Sequence, residues 1–78
     1  MDTVPWNRVI LDEFCSIAIL TPLEEQILRT RAAGWSQVKQ CHKFNVSLAT
    51  ITRTVRKLKK KYEFCRKYSD KLPENIKF

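Results

Sequence analysis

The chain has 78 residues, which is enough for one small domain and too few for a deep catalytic cleft beside a core. It contains 15 Lys and Arg residues against 8 Asp and Glu residues, a net charge of +7. Residues 1–34 hold three basic and five acidic residues, whereas residues 35–78 hold twelve basic and three acidic residues. The basic second half predicts a polyanionic partner.

The apolar stretches do not fit a membrane protein. The longest uncharged run, residues 14–23, has about half the length of a membrane span and contains Pro22. Asp12 and Glu13 interrupt the early apolar stretch, which does not fit a signal peptide. We therefore expect a soluble, cytoplasmic protein that does not engage a membrane.

Cysteine usage argues against a disulfide framework and against a zinc site. Cys15, Cys41 and Cys65 are widely spaced and odd in number, and they form no CxxC pair. We expect buried, reduced thiols, and we expect no metal, cofactor or small-molecule ligand.

The first two predicted helices cover residues 8–18 and 22–33. Asn7 can cap the first, which places Ile10, Phe14 and Ile17 on one face. The second has clearer start and stop signals. Thr21 and Glu24 fit a capping box, and Pro22 follows the cap. Gly34 fits a left-handed residue just after the end of the helix.

Two further helices are predicted at about 37–43 and about 48–67, with Ser36 and Ser47 as their caps. Val38 and Cys41 are expected to face the core from the shorter helix, and Asn45 favours a turn after it. In the longer helix, a single apolar stripe comprises Ile51, Val55, Leu58, Tyr62 and Cys65.

Residues 69–78 are predicted to form an extended or frayed tail, docked through Leu72 and Ile76. The fold prediction is therefore a single all-α domain, residues 1–78, of about four helices. A short capped helix, a three-residue turn and a longer capped helix are typical of a helix-turn-helix, with a scaffold helix and a recognition helix.

The side of the recognition helix opposite its apolar stripe suits a DNA groove. Its first turn is small and polar, and basic residues follow. Arg53 can reach a guanine edge, while Arg56, Lys57, Lys60 and Lys61 would contact phosphates. The first amides of the helix could also bind a phosphate. The predicted DNA-binding residues are Ser36, Ser47, Leu48, Ala49, Thr50, Thr52, Arg53, Arg56, Lys57 and Lys60.

Two other interpretations of this basic side were weighed. A merely solvated face would usually alternate acidic with basic residues, but only Glu63 interrupts eight bases between Arg53 and Lys67. A membrane-surface helix needs a free apolar face, whereas Ile51 and Val55 are needed for the core of so small a domain.

Residues 20–58 resemble the helix-turn-helix of the LuxR/GerE type and the related region four of bacterial sigma factors. The matching positions are Leu20, Thr21, Glu24, Ile27, Leu28, Gly34, Ser36, Phe44, Val46, Ser47, Thr50, Ile51 and Leu58. The resemblance covers about half of the chain and implies sequence-specific DNA binding in transcription.

Three features depart from the family pattern. Gln40 stands where the family has an aliphatic residue, so we expect Val38 to fill the gap. Thr52 replaces the usual basic residue, which leaves Arg53 and Arg56 as the expected contacts. The helix also continues where the GerE type has a break, as in a sigma region four or a phage or mobile-element regulator.

The functional prediction is a small transcriptional regulator that binds double-stranded DNA as a homodimer. The alternative is a sigma-like or phage-derived interaction module that docks on RNA polymerase or another protein without its own DNA target. An enzyme is not expected, because the single histidine, His42, adjoins Cys41 in a helix and points about 100° away from it. The chain also has no glycine-rich phosphate loop.

Overall fold

Four helices follow one another in the computed structural model, which describes residues 3–78. They are α1 (Arg8–Ile17), α2 (Pro22–Ala32), α3 (Gln37–Phe44) and α4 (Leu48–Arg66). The prediction of a small all-α fold with about four helices is confirmed, and each helix lies within one or two residues of its predicted bounds. Within residues 3–78, no helix is both long and apolar enough to cross a bilayer.

Side chains cap every helix at its first turn. Asn7 Oδ1 accepts a hydrogen bond from Ile10 N at 2.9 Å. At α2 the capping box is complete, since Thr21 Oγ1 accepts from Glu24 N and Glu24 Oε1 accepts from Thr21 N. Ser36 and Ser47 cap α3 and α4 in the same way. All four predicted caps are confirmed, because capping depends on local sequence.

Left-handed residues end two of the helices. Gly34 has a φ of 91° just after α2, and Asn45 has a φ of 54° at the end of α3. Glycine and asparagine tolerate this conformation better than other residues do. Only residues 45–47 separate α3 from α4, so Asn45 redirects the chain within three residues.

The core lies between α4 and the other three helices, and α4 contacts each of them. Five residues of the predicted α4 stripe are buried: Ile51, Val55, Leu58, Tyr62 and Cys65. The other buried apolar residues are Ile10, Phe14, Ile27, Leu28 and Leu72. Because one face of α4 supplies half of the core, its opposite face is left to solvent.

Three core predictions are wrong. Val38 is 65% exposed, and the fully buried residue of α3 is Gln40. Ile17 is 42% exposed, because α1 ends there and the chain turns away. Cys15 and Cys41 are only half-buried, although all three cysteines are free thiols as expected.

The C-terminal tail is docked, as predicted, and ties the two ends of the chain together. Leu72 is buried, and the hydroxyl of Tyr62 donates to the carbonyl of Pro73 at 2.5 Å. Burial of its phenol raises the pKa of Tyr62 to about 12. Val4 pairs with Ile76 in an isolated parallel bridge, and both Nε and Nη2 of Arg31 donate to the carbonyl of Phe78.

Trp6 joins these segments in an aromatic cluster. Its ring lies 6.0 Å from Phe14, 5.7 Å from Tyr62 and 5.3 Å from Phe78, measured between centroids. The contacts of Trp6 with Tyr62 and Phe78 are edge-to-face, and such contacts are favourable beyond the area that they bury. The segment before α1, the second half of α1, the later half of α4 and the tail are therefore packed as one unit.

Candidate nucleic-acid interface

The exposed side of α4 carries the residues that the sequence placed there. We call the side formed by Ala49, Thr52, Arg53, Arg56, Lys57 and Lys60 the basic face. All six residues are exposed, whereas Thr50 is half-buried at its edge. The face runs from Ala49 to Lys60, eleven steps or about 16 Å along the helix axis. It is small and polar at its start and cationic thereafter.

The cations of this face are not used inside the domain. Within residues 3–78, the ion pairs closer than 4.0 Å involve Arg8, Arg29, Lys61 and Arg66, and none involves a cation of the basic face. Arg53 Nε makes one long hydrogen bond of 3.5 Å, to Ala49 O of its own helix. The four charges of the basic face therefore remain available to an external anion.

The start of α4 is ordered by its own side chains. Ser47 Oγ accepts from Thr50 N at 3.2 Å and also hydrogen-bonds to Thr50 Oγ1 at 3.1 Å. Ser47 and Thr50 thus fix the first turn. The Leu48 side chain is 52% exposed beside them and offers an apolar contact, such as a thymine methyl group would accept.

Ser36, the predicted contact outside α4, lies at the start of α3. Its hydroxyl is exposed and accepts a hydrogen bond from Lys39 N at 3.2 Å. The ammonium of Lys39 lies 4.2 Å above the centre of the Trp35 ring, which is within cation–π range. Ser36 is not part of the basic face. It caps α3, the helix that precedes the three-residue turn.

Lys61, which the sequence predicted as a phosphate contact, has partners inside the domain. Its Nζ donates to Glu24 Oε1 at 2.8 Å and to Ile19 O at 2.8 Å. Lys61 makes these contacts because it lies at the edge of the buried stripe, where α4 passes the start of α2. Lys61 therefore holds α4 against α2 and is not a member of the basic face.

Glu24 is the other half of this connection and is only 7% exposed. Burial raises the pKa of its carboxyl group, but the hydrogen bonds from Lys61 and Thr21 outweigh burial, so the pKa of Glu24 is below its ordinary value. The carboxylate accepts from the backbone of α2 and from α4 at once. One charged group thus fixes the start of α2 relative to the basic face.

Gln40 positions α3 in a way that the sequence did not reveal. Its side chain is fully buried, and Nε2 donates to Ile27 O and to Thr30 Oγ1, both at 2.9 Å. Gln40 Oε1 has no partner among the described residues. The two donated bonds join α3 to the second half of α2, so α3 is held by polar contacts where an aliphatic residue was expected.

A cluster of exposed apolar side chains lies near the C-terminal ends of α1 and α4. Ile17, Ile19, Phe64 and Tyr68 are exposed by 42%, 91%, 62% and 75%, and we call them the apolar patch. The rings of Phe64 and Tyr68 lie 5.3 Å apart. Together with Ala18, Lys60, Lys61 and Cys65, these residues line a groove of about 460 Å³.

Comparison of the chain with models of protein families, with curated proteins and with solved structures gave no match.

Proposed function

We propose that this protein is a cytoplasmic, sequence-specific DNA-binding protein, a small transcriptional regulator that inserts α4 from Ser47 into the major groove. In this proposal α3, the turn at residues 45–47 and α4 form a helix-turn-helix related to the LuxR/GerE type. The observation that carries the proposal is the basic face, with four exposed cations that no described carboxylate neutralises.

The order of residues along the face supports entry by the start of α4. Ala49 and Thr52 are small, so the backbone of the first turns can approach base edges closely. Arg53 follows one turn later and can donate two hydrogen bonds to a guanine. Arg56, Lys57 and Lys60 lie farther along the helix, where the phosphate backbones border the groove.

The scaffold around α4 supports the same proposal. A major groove about 12 Å wide admits one α-helix, provided that the rest of the domain does not block it. The core lies entirely on the stripe side of α4, and Lys61 and Gln40 hold α2 and α3 in place from that side. Ser36, at the start of α3, would contact a phosphate beside the groove.

The test is selection of binding sites from random duplex DNA, followed by titration of the selected site. We expect Arg53→Ala with Arg56→Ala to weaken binding by about 1–3 kcal/mol through the base contact of Arg53, to relax preference at that base, and to reduce the salt dependence through the lost phosphate contact of Arg56. The control is Lys71→Ala with Lys77→Ala, which removes the same charge from exposed positions outside α4.

Equal losses in the two double variants would mean that only net charge matters and that no base is read. If the arginine variant keeps both its affinity and its salt dependence, the basic face does not bind DNA and the proposal is wrong. Absence of any enriched sequence would also count against it.

A further inference from the structure

The apolar patch has a defined position relative to the basic face. Its α4 side is centred near Phe64, eleven residues beyond Arg53, which is about 16 Å along the helix axis. Around the axis, the groove residues of α4 other than Lys60, which are Lys61, Phe64 and Cys65, lie on average roughly 100° from the basic face. The patch therefore lies beside the proposed DNA surface, and Lys60 is the residue that borders both.

We propose that the apolar patch pairs with the same patch of a second copy of this chain. A two-fold axis through the patch would set the two α4 helices antiparallel, with their basic faces directed to the same side. The two Arg53 positions would then lie about 33 Å apart, twice the distance from patch to basic face. Successive half-sites on one side of a DNA duplex are about 34 Å apart, so this inference rests in part on the proposed function.

The chemistry of the groove fits a second copy. Its exposed side chains are apolar and aromatic, and pairing would bring Phe64 and Tyr68 of each copy against each other or against Ile19. Of the two lysines that line the groove, Lys61 is already neutralised by Glu24 and adds little repulsion between two copies, whereas Lys60 is exposed at the border with the basic face and keeps its charge.

The size of the patch predicts a weak dimer. An aromatic residue buries about 150–250 Å², and the two isoleucines add less, so the four partly exposed side chains offer roughly 500 Å² per copy. A standard interface buries about 800 Å² per partner. We therefore expect dissociation in the range of about 10 μM to 1 mM without DNA, and strong coupling between the two copies on paired half-sites.

Sedimentation velocity of the purified protein without DNA tests the pairing independently of any DNA binding. Wild-type protein should pass from monomer to dimer between about 1 μM and about 1 mM. Phe64→Glu and, separately, Ile19→Glu should weaken the dimer at least tenfold. Val9→Glu is the matched control, because Val9 is 66% exposed on α1 outside the patch. Circular dichroism checks that each variant remains folded.

A second arm separates the two proposals. On a duplex with two inverted half-sites about 10 base pairs apart, wild-type protein should bind cooperatively, whereas Phe64→Glu should fill each half-site independently at the single-site affinity. Arg53→Ala with Arg56→Ala should lose DNA binding and still dimerise like wild-type protein. Dimerisation without DNA binding would therefore remove only the proposed function.

Two outcomes would overturn the pairing. One is wild-type protein that stays monomeric to about 1 mM and binds paired half-sites without cooperativity, which would leave the patch to a different protein such as RNA polymerase. The other is a Phe64→Glu variant that dimerises as strongly as Val9→Glu, which would place the interface elsewhere on the surface.

Discussion

The ammonium of Lys61 lies 2.8 Å from the buried carboxylate of Glu24, and this contact joins the later half of α4 to the first turn of α2. The two residues are 37 positions apart in the sequence. The Lys61 side chain is 36% exposed, whereas the Glu24 side chain is 9% exposed. The same lysine also satisfies the carbonyl of Ile19, so a single side chain closes the connection between α1 and α2.

Lys61→Met should therefore lower the free energy of unfolding by about 1–3 kcal/mol, because the buried Glu24 carboxylate loses its charged partner. Urea denaturation followed by circular dichroism measures the change. Lys59→Met is the control, since Lys59 is exposed and should change stability by less than about 0.5 kcal/mol. Equal effects of the two substitutions would show that the contact does not stabilise the fold.

The same pair predicts a pH dependence. Because the pKa of Glu24 is lowered in the folded protein, its contribution is complete above the ordinary Glu pKa of about 4.3. It is lost as the pH falls through the lowered folded value. The difference in unfolding free energy between wild type and Lys61→Met should thus shrink from pH 7 towards about pH 3. A difference that stays constant over this range would contradict the assignment.

Gln40 offers a test of polar burial. Gln40→Met should keep the free energy of unfolding within about 1 kcal/mol of wild type, because it fills the same space and removes the unpaired Oε1. Its former partner, the Thr30 hydroxyl, still donates to the carbonyls of α2. Gln40→Ala should cost about 2–4 kcal/mol, because it leaves a cavity. Urea denaturation of both variants decides whether volume or hydrogen bonding dominates at this position.

Gly34 should be sensitive to substitution through its backbone alone. Its φ is 91°, and no heavy atom of the described chain other than those of Gly34 and its two chain neighbours lies within 4 Å of the position that a Cβ would occupy. Gly34→Ala should therefore lower the unfolding free energy by roughly 1–2 kcal/mol without any clash. Gly34→Asn is the matched comparison and should cost less, because asparagine tolerates the left-handed region. The midpoint of thermal or urea unfolding measures both.

Lys57 and Lys60 are proposed to contact phosphates, which carry no sequence information. Lys57→Ala with Lys60→Ala should weaken binding to all duplexes about equally and reduce the slope of log affinity against log salt by about 2. Fluorescence anisotropy at several salt concentrations measures this slope. A loss confined to the selected sequence would instead assign these lysines to bases. An unchanged slope would remove them from the interface.

Local features of this fold follow from the sequence because they depend on neighbouring residues. The caps at Asn7, Thr21, Ser36 and Ser47 need only side chains three positions from the amides that they bind. The α4 stripe follows from helical periodicity in the same way. The exposure of the basic face was predicted by the same rule, since it is the complement of the stripe.

Contacts between distant segments could not be predicted from such patterns. Gln40 is polar, and periodicity alone favoured Val38 as the buried residue of α3. Only the arrangement of α2 supplies the carbonyl of Ile27 and the hydroxyl of Thr30 that make burial of Gln40 favourable. Lys61 lies in a run of lysines and was therefore predicted to contact DNA. Its partner, Glu24, belongs to another helix and could not be identified from the neighbouring sequence. The apolar patch likewise combines residues at or just beyond the C-terminal ends of α1 and α4, which are far apart in the sequence.

The pairing of Val4 with Ile76 makes the two ends of the described chain a single unit of local opening. Val4 N donates to Asn75 O, and Lys77 N donates to Val4 O at 2.8 Å, so neither segment can leave while the other stays bonded. Amide hydrogens of Val4 and Lys77 should then exchange with solvent at matching rates, despite standing 73 positions apart in the sequence. Opening of one of these two segments therefore also breaks the backbone hydrogen bonds of the other.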